Sequence, residues 1–186
     1  MTRPDSRNKR TEQQIANALL HLLEKKPFEA VSVSELAREA NVSRSTFYAH
    51  FDNADDVFVR LVKEMNQYSQ ELRIQLRCDG CQERGGRQPF CALLRKSQRY
   101  HALVRDPHFL QVYLRFLEGI MEGDIYADLV KDGLPQDVAQ TILRFQMSGC
   151  YITAIETPAN ADWTRMRGSL DTFIRGGIAA LRGQAG

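Results

Sequence analysis

Residues 32–51 read SVSELAREANVSRSTFYAHF, and this stretch predicts two short helices joined by a tight turn. Ser32 can cap the first helix, and Glu35 three residues later completes a capping box. Asn41 follows the last apolar position of this helix and tolerates the left-handed backbone conformation that ends helices. The sequence therefore predicts a first helix over about 33–40 and a turn around Asn41.

The second predicted helix begins after Ser43, which can cap it, and runs to Phe51. Phe47 and Phe51 are four residues apart and are predicted to face inward. The side chains left on the outer face are hydrogen-bond donors suited to phosphates and base edges: Arg44, Ser45, Thr46, Tyr48 and His50. A polar helix in this arrangement is typical of one that enters the major groove of DNA.

Residues 42–51, VSRSTFYAHF, closely resemble the recognition helix of TetR-type transcriptional regulators, which typically reads V-S-R-x-T-F/L-Y-x-H-F. The resemblance extends over residues 9–69 and implies a DNA-binding domain there, with its helix-turn-helix at 32–51. It implies a helical effector-binding and dimerisation domain over 70–186. The resemblance also implies a homodimer that acts as a ligand-responsive repressor at a palindromic operator in double-stranded DNA, with a small molecule as effector.

Two positions depart from the family pattern. The family commonly reads N-K-D-D-L after the recognition helix, whereas this chain reads Asn53-Ala54-Asp55-Asp56-Val57. The missing cation removes one phosphate contact and is expected to flatten the salt dependence of DNA binding by about one unit of slope. Pro27 replaces the usual Gly after the first helix and still ends that helix.

Net charge alone, at +2, does not indicate DNA binding. A basic cluster before the first helix (Arg3, Arg7, Lys9 and Arg10) predicts a disordered arm that tracks the DNA backbone or reaches the minor groove. A solvated tail without function is the alternative for the first seven residues. The complete set of predicted DNA contacts is Lys9, Arg10, Thr11, Ser34, Arg44, Ser45, Thr46, Tyr48 and His50.

The composition, 43% hydrophobic and 26% charged residues in a chain of 186, is ordinary for a soluble globular protein. No apolar run approaches the roughly 20 residues of a membrane span, and the N-terminus lacks the apolar stretch of a secretory signal. We therefore expect a cytoplasmic protein without membrane contact. Without a Gly-rich phosphate loop, H-E-x-x-H or G-x-S-x-G motif, neither an enzyme nor a cofactor is predicted.

The fold is predicted to be all-α because no alternating β-type segment of useful length occurs. Helices beyond the motif are expected over 53–77, 90–104, 107–130 with an interruption near 119–123, 136–156 and 162–181. The last two are apolar over more than one face and need more than one partner surface. The resemblance implies that they form a dimer interface, with Gly149, Ile152, Ile155, Ser169, Phe173 and Gly176 as candidates. The alternative is that both helices lie in the core of one chain.

Aromatic residues and methionines are frequent in the middle helices and could line a mostly apolar pocket. The resemblance implies such a pocket, for which the candidates are Tyr100, His101, Phe109, Tyr113, Phe116, Met147 and Tyr151. Ordinary core packing is the alternative for each of them. The sequence does not identify the effector.

Three cysteines, Cys78, Cys81 and Cys91, form a C-x2-C-x9-C pattern. A structural zinc site needs four ligands, and only His101 or His108 could complete one, so no metal site is predicted. A thiol-based redox switch is a second possibility, because nearby arginines would favour a reactive thiolate. The third is that Cys78 and Cys81 are a chance pair of free cysteines in a loop. Two alternative functions follow: a thiol or metal sensor with the same DNA-binding region, and a small-molecule-binding helical protein without specific DNA binding.

Overall fold

The structure is a computed structural model that describes residues 3–67, 91, 94–95, 97–121, 130 and 133–184. Every regular element in these residues is helical, which confirms the predicted all-α class. The α-helices are α1 (Arg3–Leu23), α2 (Val33–Glu39), α3 (Arg44–Tyr48), α4 (Ala54–Gln67), α5 (His101–Arg105), α6 (His108–Met121), α7 (Gln136–Glu156) and α8 (Trp163–Gln184). A short 3-10 helix, Phe28–Ala30, lies between α1 and α2.

The chain divides into two compact units. The N-terminal unit comprises Met1–Gln67 together with Gln98–Val112, and the C-terminal unit comprises Tyr68–Ser97 together with Tyr113–Gly186. The predicted boundary at residues 69 and 70 assigned residues 98–112 to the C-terminal domain. In the structure this segment belongs to the N-terminal unit instead.

The core of the N-terminal unit is built on apolar positions that recur with helical period. The core side chains without solvent exposure include Ile15, Leu19, Leu36, Phe47, Phe58, Leu61 and Met65. They come from α1, α2, α3 and α4, so each of these helices contributes one apolar face to a shared core. This core supports the two helices of the predicted motif.

Helix α1 begins at Arg3, so the predicted disordered arm before the first helix is wrong. Proline is accepted in the first helical turn, where Pro4 lies, and no glycine or further proline follows before Pro27. The helix can therefore extend to the start of the described chain. Within it, the Thr11 hydroxyl donates to the carbonyl of Arg7 at 3.2 Å.

Helix α5 is joined to the N-terminal unit by hydrogen bonds made just before it begins. The Tyr100 hydroxyl donates to the Glu64 carboxylate at 2.9 Å, and the Arg99 guanidinium donates to Glu64 and to Asn17, each at 3.0 Å. Burial raises the pKa of Tyr100 to about 12, so its hydroxyl remains a donor at neutral pH. The predicted continuous helix over 90–104 is wrong, because residues 97–100 form a turn.

The C-terminal unit contains two long helices, α7 with 21 residues and α8 with 22. Helix α7 has the predicted bounds, and α8 starts and ends within three residues of the prediction. Ala139 on α7 and Ile178 on α8 form a cluster with Leu134, which precedes α7, and Ile142, Ile174 and Leu181 pack against this cluster. Between the helices, the Arg95 guanidinium donates to the carbonyls of Ala154, Thr157 and Pro158 and lies 4.6 Å from the centre of the Trp163 ring.

Several predictions fall on residues that the structure does not describe. These are the extension of the fourth helix from 68 to 77, the cysteine-containing loop over 78–89 and the end of the predicted helix over 122–129. Helix α6 begins at His108, one residue later than predicted, and is described to Met121.

Candidate nucleic-acid interface

The capping box at the start of α2 is confirmed. The Ser32 hydroxyl accepts from the backbone N–H of Glu35 at 3.2 Å, and the Glu35 carboxylate accepts from the N–H of Ser32 at 3.1 Å. The same carboxylate accepts from Lys26 Nζ at 2.6 Å. This hydrogen bond from Lys26, with those from Ser32, lowers the pKa of Glu35 to about 2. Glu35 is therefore ionised at neutral pH, which suits the N-terminus of a helix.

The turn between α2 and α3 has the predicted left-handed residue. Asn41 has a φ of 54°, the positive value that asparagine tolerates better than most residues. The N–H of Asn41 donates to the carbonyl of Arg38, and the N–H of Val42 donates to the carbonyl of Ala37 at 2.9 Å. These bonds end α2 and direct the chain into α3.

Helix α3 is anchored by aromatic residues and is shorter than predicted. Ser43 caps it by accepting from the N–H of Thr46 at 3.0 Å, and Phe47 has no solvent exposure. Phe51 is also buried, with its ring centre 6.0 Å from that of Phe47. The helix ends at Tyr48 and not at Phe51, because Ala49 is its C-cap. Both phenylalanines face inward as predicted.

The outer side of α3 is polar and accessible. Arg44 and Ser45 are exposed, Thr46 is partly exposed, and Tyr48 is 50% exposed. The hydroxyl of Ser43 lies 2.8 Å from those of both Ser45 and Thr46, so the helix start has a linked row of hydroxyl groups. Among the candidates outside α3, Ser34, Lys9 and Arg10 are exposed, and Thr11 is partly exposed.

His50 does not face outward, and that part of the prediction is wrong. Its side chain is only 11% exposed, and its Nδ1 atom lies 3.7 Å from a carboxylate oxygen of Glu12. Glu12 also accepts a hydrogen bond from Arg60. Because α3 ends at Tyr48, His50 lies in the following turn and faces α1. The Glu12–Arg60 pair, which directs this orientation, joins residues 48 positions apart and has no local sequence signal.

A capped helix held by buried phenylalanines, with Arg44, Ser45 and Tyr48 exposed beside it, defines a helix-turn-helix DNA-binding protein. Residues 15–61 match the model of the bacterial regulatory proteins of the tetR family. The chain is similar to the fatty acid metabolism regulator protein of Bacillus subtilis (strain 168), with 21% identity over 189 residues, which covers 89% of this chain and 94% of the relative. Residues 15–61 thus form a DNA-binding domain of the tetR type, and the chain is a transcriptional regulator that carries this domain.

The predicted ligand-binding residues are divided between the two units. Those in the N-terminal unit are Tyr100, His101 and Phe109, and those in the C-terminal unit are Tyr113, Phe116, Met147 and Tyr151. Tyr100 donates to Glu64, Phe109 is fully buried, and His101 is exposed. Residues 98–112 pack with the N-terminal unit, and the assignment of all seven residues to a ligand site stays a prediction. In the C-terminal unit, burial raises the pKa of Tyr113 well above its ordinary value.

An open cleft of about 570 Å³ lies in the N-terminal unit. Its lining is mixed, with residues from the end of α1, the loop that follows, and the segment around α5: Leu23, Glu24, Pro27, Gln98, His101, Ala102, Arg105, Asp106 and Pro107. His101 is the single predicted ligand-binding residue that it contains. The cleft is therefore not the mostly apolar pocket that the sequence predicted.

The predicted dimer residues lie on an accessible apolar face. Ile152 is 51% exposed and Phe173 is 68% exposed, while Phe145, not among the predicted residues, is 70% exposed. The small residues Gly149, Ser169 and Gly176 are exposed, and Ile155 is partly exposed. A Cβ atom built on Gly149 or Gly176 would meet nothing within 4 Å. The alternative that α7 and α8 lie wholly in the core of one chain is wrong for this face.

The described residues give no support to a metal centre. Within them, no group of three or more His, Cys, Asp or Glu side chains lies close enough together to hold a metal ion. Cys91 is buried in the C-terminal unit, whereas Cys78 and Cys81 lie outside the described residues. None of the helices that the structure describes could span a membrane.

Proposed function

We propose that this regulator is a cytoplasmic, homodimeric repressor that places one α3 helix from each chain into the major groove of a palindromic operator. The observation that carries this proposal is the surface of α3, where Arg44 is exposed at the first helical position. Side chains at the N-terminal end of a recognition helix reach base edges. Arg44 is thus suited to a bidentate hydrogen bond with guanine. Tyr48, one turn further on, is suited to phosphate contact.

The experiment is a fluorescence anisotropy titration with the DNA upstream of the protein's own coding region and with a scrambled duplex of equal length. We expect Arg44→Ala to lose about 1–3 kcal/mol of discrimination between the two duplexes. Lys25→Ala is the matched control, because it removes one exposed cation outside the helix-turn-helix. An Arg44→Ala variant with wild-type affinity for both duplexes would reject the assignment of Arg44 to base recognition.

For the dimer, we propose that the exposed face of α7 and α8 is covered by the same face of a second chain. The two helices repeat one spacing, with Phe145, Gly149 and Ile152 on α7 matched by Ser169, Phe173 and Gly176 on α8. Exposed apolar surface of this kind gains roughly 25 cal/mol per Å² when it is buried. A twofold interface would place two copies of α3 at fixed separation, as a palindrome requires.

For the effector, we propose an apolar small molecule that contacts Tyr113, Phe116, Met147 and Tyr151 in the C-terminal unit. Three of these side chains are buried there, and Phe116 is partly buried. The name of the Bacillus subtilis relative makes a fatty acid the first compound to test. Release of fluorescent operator by a fatty acid would support this class, whereas unchanged anisotropy at saturating fatty acid would oppose it.

The same titration separates the alternative functions. A thiol sensor would lose operator affinity on treatment with peroxide and regain it with reductant, and a metal sensor would respond to a chelator. A helical binding protein without specific DNA recognition would bind both duplexes equally. We expect a preference for the upstream duplex that none of these reagents changes.

A further inference from the structure

We infer that the pair formed by Asp55 and His108 sets the DNA affinity of the N-terminal unit according to pH, with His108 as a positioning residue that acts through Asp55. The inference rests on the DNA-binding function described above. It concerns two residues outside the helix-turn-helix. Asp55 lies in the first turn of α4, directly after the motif, and His108 is the first residue of α6.

The two side chains are in direct contact although they are 53 positions apart. The Nε2 atom of His108 lies 2.7 Å from Oδ1 of Asp55. The imidazole ring also stacks on Phe28, with ring centres 4.7 Å apart, and meets the edge of Phe58 at 5.0 Å. The ring is thus held in one orientation by two aromatic side chains while its outer nitrogen faces a carboxylate.

The backbone of His108 is fixed as firmly as its ring. Oδ1 of Asp106 accepts from the N–H of His108 at 2.9 Å, and Oδ2 accepts from the N–H of Phe28 at 2.8 Å. Asp106 is buried, so these two hydrogen bonds satisfy its carboxylate where water has little access. The imidazole therefore cannot move away from Asp55 without breaking contacts made by the chain around it.

The charge at this position depends on the proton on His108. The titratable group in contact with the imidazole is Asp55 from α4, while the carboxylate of Asp106 in the preceding turn contacts the backbone N–H of His108. The neighbouring 3-10 helix and α4 contribute the rings of Phe28 and Phe58. Histidine is the side chain that ordinarily changes charge between about pH 5 and 8. With the proton bound, the pair is neutral; without it, Asp55 is an anion whose side chain is 58% exposed.

Asp55 is placed to act on DNA because it follows the recognition helix closely. In helix-turn-helix proteins, segments that flank the recognition helix contact the DNA backbone. An anion there repels phosphate, so neutralising it strengthens binding to any duplex sequence. The neighbouring Asp56 is already engaged, since its carboxylate accepts from the N–H of Asp52 at 3.1 Å. Of the two carboxylates in this turn, Asp55 is thus the one in contact with a histidine.

Replacing Asp55 distinguishes a purely structural role of the pair from an electrostatic one, because the two roles predict opposite changes in DNA affinity. If the pair served only to hold α6 on α4, removing either side chain would weaken DNA binding. If the pair sets the charge near the phosphates, Asp55→Asn strengthens binding because the anion is gone. His108→Phe keeps the aromatic stacking but leaves Asp55 unneutralised, so it weakens binding at acid pH.

The experiment measures the affinity of the full-length protein for a random-sequence duplex by anisotropy at low salt, at pH 6 and pH 8. We expect the wild type to bind roughly two- to fivefold more tightly at pH 6, an estimate for one unit charge near phosphates in water. His108→Phe should lose this gain, and Asp55→Asn should bind at pH 8 as tightly as the wild type does at pH 6. Each variant is also compared with the wild type at the same pH, so that contributions common to all three proteins drop out.

Asp137→Asn is the matched control, because it removes one exposed carboxylate from the first turn of α7 in the C-terminal unit. We expect it to bind like the wild type at both pH values. A His108→Phe variant that keeps the wild-type pH dependence would overturn the inference. Asp55→Asn binding no more tightly than the wild type at pH 8 would also overturn it, and this second variant decides the question if His108→Phe does not fold.

Discussion

The two units of the chain treat their large apolar side chains differently. In the N-terminal unit, the exposed large hydrophobic residue is Tyr48, which lies on the recognition helix. In the C-terminal unit, Phe145, Ile152 and Phe173 are exposed on the two long helices that also share the inner cluster of Leu134, Ala139 and Ile178. The N-terminal unit therefore completes its core within one chain and exposes an aromatic residue on the helix that we propose contacts DNA. The C-terminal unit leaves an apolar face that a second copy can cover.

Polar groups strengthen this contrast. The N-terminal unit is held by hydrogen bonds between distant segments, such as Tyr100 to Glu64 and Phe28 to Asp106. Each of these bonds engages a carboxylate in a core or at its edge. On α7 and α8, by contrast, one exposed face carries Phe145, Ile152 and Phe173 beside the small residues Gly149 and Gly176. The hydrogen bonds fix the shape of the N-terminal unit, whereas the small residues on α7 and α8 allow another pair of helices to approach closely.

The largest expected effect comes from a charge on the apolar face of the C-terminal unit. Phe173→Glu would place a carboxylate without a partner in the proposed interface, at a cost on the order of 3–5 kcal/mol or more. We expect the protein to become monomeric, as measured by light scattering at micromolar concentration, with only weak operator binding.

The control for this variant is Gln140→Glu, which adds the same charge to an exposed position on another face of α7. We expect it to remain dimeric. If Phe173→Glu also keeps the wild-type mass, the dimer uses another surface, and the contrast between the two units loses its explanation.

The next largest effect is expected in the core of the N-terminal unit. Phe47→Ala removes a fully buried ring between α3 and the rest of the core and should cost about 3–5 kcal/mol of unfolding free energy. Its neighbour Tyr48 is half exposed, so Tyr48→Ala should change that free energy by less than about 0.5 kcal/mol while weakening DNA binding. Urea denaturation gives the first quantity and anisotropy the second. Equal stability losses for the two variants would contradict the assigned directions of these adjacent side chains.

A smaller loss of stability than that of Phe47→Ala is expected at the start of α2. Ser32→Ala removes the cap of this helix and should cost about 0.5–2 kcal/mol of unfolding free energy. Urea denaturation at neutral pH measures the loss. A cost near zero would mean that the capping box is not formed in solution.

The capping box also makes a prediction for pH. The pKa of Glu35 in the folded chain is about 2, below its ordinary value of 4.5, so its contribution to stability is present above about pH 4.5 and is lost as the pH falls towards 2. Glu35→Gln should therefore be less stable than the wild type at pH 7, and the difference should shrink between pH 4.5 and 2. A difference that stays constant across this range would show that the ionised carboxylate contributes nothing.

The helix-turn-helix could be predicted from the sequence because its determinants are local. Ser32 with Glu35, Asn41, and Ser43 with Phe47 act over at most four residues, and the structure confirms each of them. The bounds of α7 were predicted for the same reason, because Pro135 and Thr157 lie at its ends and helical periodicity continues between them.

The predictions that were wrong depended on contacts between distant residues. His50 is turned inward by Glu12, and the segment that begins at Gln98 joins the N-terminal unit through Glu64 and Phe28. No pattern in the neighbouring sequence records such pairs. The apolar faces of α7 and α8 posed a different problem, because a face covered by the same chain and one covered by a second copy have the same composition.

Selection of binding sites from a pool of random-sequence duplexes tests the central claim most directly, because it presumes neither the operator nor the number of chains bound. If two copies of α3 read DNA across a twofold axis, the selected sites will be palindromes whose half-site centres are one helical turn, about 10–10.5 base pairs, or a multiple of it apart. Two chains should bind each duplex, as measured by light scattering of the complex. Enrichment of an asymmetric single site, or of no site at all, would contradict this account.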